Sequence, residues 1–148
     1  MRKIFYFLVF VYCASCSNTQ TIIEVTDIND LTPYKKEFIE HFKKISIFAN
    51  IQDMHDFVYY KDSVNNEFIE GNGMIETGEG KSNVLFRSPV YCENSDKGFV
   101  LITLQMHGES CTGVNCSKCV FRKKGGCKCE KAGSIGGGAS YCNHAISK

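Results

Sequence analysis

Between Thr32 and Ala49 the apolar residues recur at helical spacing: Tyr34, Phe38, Phe42, Ile45 and Ala49 form a stripe that Ile39 widens. Lys35, Lys36, Glu37, Glu40, Lys43 and Lys44 occupy the other side. Thr32 offers a capping hydroxyl, and Pro33 takes the first helical position, where a missing donor costs nothing. The pattern predicts one long amphipathic helix laid on a core. Its polar face mixes both signs, which argues against a membrane-surface helix.

Elsewhere the period is two. Ile22-Ile23-Glu24-Val25 makes a brief strand, and Asp27-Ile28-Asn29-Asp30 turns the chain. Phe57 to Tyr60 is a strand, Asp62 to Asn66 a turn, and Glu67 to Thr77 a second strand interrupted by Gly71-Asn72-Gly73, where a bulge or sharp bend is expected. Thr77 to Gly80 is a hairpin loop into Asn83 to Arg87, and Pro89, lacking a donor, belongs at the edge or end of that strand. Glu93 to Gly98 turns into the strongest strand, Phe99 to His107. There Val100, Ile102, Leu104 and Met106 share one apolar face, so this strand is expected at the centre with the helix covering it. The expected fold class is α+β: an antiparallel sheet of about four strands with one long helix, plus a C-terminal cysteine-rich hairpin module.

The first residues carry a different signal. Arg2 and Lys3 precede an apolar run from Ile4 to Tyr12 and then small residues, the pattern of a secretory leader and too short for a mature membrane anchor. Cys13-Ala14-Ser15-Cys16 resembles the lipobox of bacterial lipoproteins, in which small residues precede a cysteine that is lipidated and becomes the first mature residue; where that family usually has leucine this chain has Cys13. The resemblance implies acyl chains on Cys16 and a membrane-held protein, and Ser17 is compatible with sorting to an outer membrane. Ordinary cleavage near Ser15 to Ser17 and release is the alternative. The expected organisation is a signal peptide over 1–15, a body over 16–110 and a basic module over 111–148.

Charge sharpens that division. Residues 17 to 110 carry eight basic and fifteen acidic side chains, and residues 111 to 148 carry seven basic and one acidic. Such a tail docks on its own body, faces an anionic partner or points its lysines to water. Nine cysteines in 148 residues favour an oxidising compartment. Beyond Cys13 and Cys16 there remain Cys92, Cys111, Cys116, Cys119, Cys127, Cys129 and Cys142. Three bridges and one free thiol are the simplest state, with the pairing open. Cys127 and Cys129, two apart, are expected to pair outward. Val120 to Gly126 reads as a hairpin that brings the CxxC and CxC sides together.

That convergence also permits a metal. Cys116, Cys119, Cys127 and Cys129 offer four thiolates for tetrahedral zinc, with His107, Cys142 and His144 as substitutes. Cys111-x4-Cys116-x2-Cys119 resembles the three-cysteine run of plant-type [2Fe–2S] ferredoxins, which implies an iron-sulfur cluster. Oxidation outside the cell places the disulfide framework first. A thiol oxidoreductase would centre on Cys116 and Cys119, but no helix N-terminus stands behind Cys116 to activate it. His41 and His55 lack any ligand pattern, and GNGMIETGEG lacks the lysine-serine pair of a phosphate loop. The expectation is a non-enzymatic, exported envelope protein, outer-membrane lipoprotein or secreted, without a cofactor. Its expected partners are the membrane through the anchor and an anionic envelope component or protein; nucleic acid is not expected.

Overall fold

The computed structural model describes residues 20–45, 51–78, 80–132 and 139–147. The leader, Cys13, Cys16 and Ala49 lie outside these residues, as do the glycines of 133–138. Among the described residues the fold is mostly antiparallel β, 62% strand and 12% helix, with a single short helix of 14 residues counting its first turn. This corrects the α+β expectation of about four strands beneath a long helix. Among the described residues nine strands form: β1 Thr21–Val25, β2 Ile51–Lys61, β3 Glu67–Thr77, β4 Gly80–Asn94, β5 Val100–Leu104, β6 Gly108–Val114, β7 Cys116–Phe121, β8 Cys127–Ala132 and β9 Tyr141–Ser147. The helix α1 spans Lys35–Ile45 after a 3-10 turn at Thr32–Tyr34.

The sheet is assembled on β4. Gly80 to Val90 of β4 pair with the whole of β3, while its other side is shared between β6, which pairs with Val84 to Arg87, and β5, which pairs with Val90 to Asn94. The order is β1-β5-β4-β3-β2, with β9 added beyond β6. Phe99 to His107 is therefore not the central strand: β5 lies between β1 and β4, and the chain leaves the ladder at Gln105 before β6 begins. Pro89 is inside β4 rather than at its end. Its carbonyl accepts from the Gln105 amide at 3.1 Å, so its missing N–H falls in the gap between β5 and β6, where the ladder needs no donor.

Alternation along β4 defines two faces. Val84, Phe86, Ser88 and Val90 are buried toward α1, and Phe42 meets Phe86 at 5.5 Å between ring centroids while Phe38 meets Phe57 at 5.1 Å. Burying each such ring contributes roughly 1.5–3 kcal/mol. The expected apolar stripe is thus right in phase, but its cap is not: Leu31 is the N-cap, without a side-chain bond, and the Asp30 carboxylate accepts the Thr32 amide at 3.2 Å. His41 falls on the buried side and bonds Ser88 Oγ at 3.1 Å.

The bulge expected in β3 lies on its neighbour. β3 keeps register with β4 from Glu67 to Thr77, whereas β2 slips between His55 and Val58, and Asp56 there has φ +54°. The β3 glycines answer to crowding instead. A β-carbon on Gly71 would stand 2.7 Å from the Phe57 ring, and one on Gly73 would stand 2.9 Å from the Asp53 carbonyl.

The opposite face of β4 carries Leu85 and Arg87, and the β7–β8 hairpin lies over them. The cysteine-rich hairpin region is present as expected, with Gly125 and Gly126 at φ +87° and +77° in its turn. β6, which holds Cys111, and β9, which holds Cys142, are strands of the large sheet. The sheet is therefore a middle layer between a short helix and a disulfide-bonded ribbon. No helix among the described residues is long and apolar enough to cross a membrane.

Candidate functional site

A two-stranded ribbon is at best marginally stable alone. Here three disulfides hold it: Cys111–Cys127, Cys116–Cys129 and Cys119–Cys142, with Cα separations of 5.9, 5.9 and 6.1 Å. In chain order the bridges run first to fourth, second to fifth and third to sixth, so each closed loop overlaps the other two. Cys116–Cys129 lies within the ribbon. Cys111–Cys127 fastens β8 to β6, and Cys119–Cys142 fastens β7 to β9. Cys127 and Cys129 pair outward, as expected from their spacing. Three disulfides place the chain in an oxidising compartment, extracellular or in the envelope.

Cys92 is the remaining thiol among the described residues. It is half-buried on β4, and burial, with the Glu67 carboxylate close by, pushes it up to about 11. A thiol so placed is a poor nucleophile at neutral pH.

The sulfurs proposed for metal are all in bridges. Cys116, Cys129 and Cys142 have Sγ atoms within 4.8 Å of one another, a cluster explained by two adjacent disulfides. Metals take thiolates, and a bridged sulfur has no such charge to give. The ferredoxin-like trio Cys111, Cys116 and Cys119 joins three different partners. Cys116 and Cys119 stand 3.9 Å apart without being bonded to each other, in a strand rather than at a helix start.

Beneath the ribbon lies a polar cluster that the sequence analysis did not single out. Arg87 is sandwiched between the rings of Phe121, 4.1 Å away, and Phe68, 4.9 Å away. Its guanidinium donates to Glu109 at 2.9 Å and to the Tyr60 hydroxyl at 3.2 Å. His144 Nε2 lies 2.8 Å from the second Glu109 oxygen, so the ring named as a metal substitute here has a carboxylate as its hydrogen-bond partner. Burial works to raise the Glu109 carboxyl, but the bonds from His144 and Arg87 outweigh it and hold the group below the ordinary carboxylate range. On Glu70, beside Arg87 in β3, burial wins and the carboxyl is raised. One signal for this cluster was available: Arg87, Glu109 and His144 sit among apolar alternations. Their sequence separations gave no means of pairing them.

At the other end of β7 a cleft opens between ribbon and sheet, lined by His55, Asn72, Asn83, Ser117 and Lys118. His55 is exposed, with Nδ1 2.6 Å from the Asp56 carboxylate, and Lys118 pairs with Glu130 at 3.0 Å. Both basic side chains of the cleft thus have a carboxylate beside them, and Val84 and Leu85 add apolar surface to the lining. His107 is exposed between β5 and β6. No family model, curated protein or solved structure matches this chain.

Proposed function

We propose that the chain is an exported, lipid-anchored protein of the cell envelope, with the outer membrane as its site and a non-enzymatic binding or structural role. The observation that carries the reading is the overlapping set of disulfides, which only an oxidising compartment maintains and which clamps a basic ribbon onto an otherwise ordinary sheet. The leader and the lipobox-like Cys13-Ala14-Ser15-Cys16 supply the route and the anchor. The non-enzymatic part is supported by chemistry: the CxxC sulfurs are locked in separate bridges, and burial holds the Cys92 thiol far above its working range.

Replacement of Cys16 tests the anchor. Cys16→Ser is expected to move the protein from the membrane pellet to the soluble fraction after cell lysis, because the acyl chains contribute about 0.8 kcal/mol per buried methylene. Continued pelleting of the substituted protein would remove lipidation at this site. The second reading, a structural zinc or iron-sulfur module, has the close approach of Cys116, Cys129 and Cys142 in its favour. Stoichiometric zinc, or visible absorption bands from iron, in protein isolated from the envelope would establish it in place of the disulfide account.

A further inference from the structure

The ribbon covers only part of the sheet face it lies on. β7 begins with Cys116 beside Leu85 and ends with Phe121 on Arg87, so it stops short of the second half of β4. Beyond it the face is open. By register Ile22, Thr103 and Tyr91 form one row across β1, β5 and β4, and Ile22 and Tyr91 are 60% and 56% exposed. Val64, 71% exposed, stands in the β2–β3 turn, which adjoins the Tyr91 side of β4 through the pairing of Glu67 with Val90. The turn of the ribbon follows Phe121, past its contact with Arg87, and carries Arg122, Lys123 and Lys124, all exposed and with no acidic partner among the described residues.

Chain length says what these groups meet. Cys16 is five residues before Thr21, so an acyl anchor there lies at most about 18 Å from the start of β1, next to Ile22. We infer that the open row Ile22–Thr103–Tyr91, together with Arg122, Lys123 and Lys124, is the surface that lies against the bilayer, with the three cations in anionic phospholipid headgroups. This rests on acylation of Cys16 and adds to it an orientation. Aliphatic and tyrosine side chains suit the interfacial zone, and clustered Lys and Arg are drawn to an anionic leaflet. Glu24, Leu101 and Glu93 form the next row along β1 away from the tether, so these two carboxylates sit one row farther from the anchor than Ile22 and Tyr91.

The chain contains no tryptophan, so a single introduced indole reports alone. Acylated full-length protein carrying Tyr91→Trp is reconstituted into phosphatidylcholine–phosphatidylglycerol vesicles with brominated acyl chains. It is compared with Lys81→Trp, an exposed position on the same face of β4 and ten residues, about 33 Å, away. The inference expects blue-shifted emission and strong quenching at position 91, little at position 81, and a fall of the position-91 signal to the position-81 level when Arg122, Lys123 and Lys124 are changed together to glutamate. Equal quenching at the two positions in vesicle-bound protein overturns the orientation while leaving the anchor standing. Quenching at position 91 that survives the charge reversal overturns the role of the cations. Protein that lacks acyl chains and fails to join the vesicles removes the anchor and the inference together.

Discussion

Changing Cys111 and Cys127 together to alanine is expected to lower the folding free energy by about 3 kcal/mol, the loop-closure contribution for a bridge of this span. The pair is removed together because a single substitution would leave a thiol to mispair. Cys111 is fully buried on β6, and its bridge is one of two that fasten the ribbon to the sheet. With it gone the one bridge left between ribbon and sheet is Cys119–Cys142, so Phe121, opposite Cys127 in the ribbon, loosens from Arg87 and water reaches the Arg87–Glu109 pair. Equilibrium unfolding in urea measures the loss. A double variant as stable as the parent would mean that the bridge contributes nothing or does not form.

Acid is expected to weaken the fold well before ordinary carboxylates titrate. His41 is fully buried in α1 against Ser88, and burial, with Lys44 adding to it, brings its pKa down to about 4 from 6.5. The unfolded chain therefore binds a proton that the folded chain refuses between these values. The stabilisation is complete above pH 6.5 and is lost as pH falls toward 4, about 3 kcal/mol across the window. Denaturant midpoints at pH 7.5 and pH 5 measure it, and His41→Gln, which keeps a hydrogen-bonding side chain without the titration, should flatten the dependence in that interval. An unchanged slope in His41→Gln would assign the acid sensitivity to other groups.

Local patterns in the chain were read correctly where one side chain's neighbours decide the outcome. The phase of α1, the bounds of β3, the turn at Asp62 to Asn66 and the glycine turn of the ribbon follow from alternation and from residues that tolerate positive φ. The fold class was misjudged because strand pairing is non-local. Gly108 to Val114 and Tyr141 to Ser147 alternate weakly, since His144 and Glu109 point at each other and the cysteines point at the ribbon. Their strand character exists only once β4 offers an edge. Pro89 misled for a related reason: its cost depends on a gap between two neighbours far along the chain. The odd cysteine was legible as a count, but its identity as Cys92 depended on which sulfurs the sheet brings within reach.

The oxidation state of the ribbon is tested most directly by a disulfide map of the native protein, alkylated without reduction and fragmented for mass spectrometry. Three cross-links are expected, Cys111–Cys127, Cys116–Cys129 and Cys119–Cys142, with Cys92 alone among these seven alkylated, and slowly at neutral pH because burial pushes its thiol up to about 11. Recovery of the six ribbon cysteines as free thiols, or as ligands of stoichiometric zinc or iron, would contradict the disulfide framework.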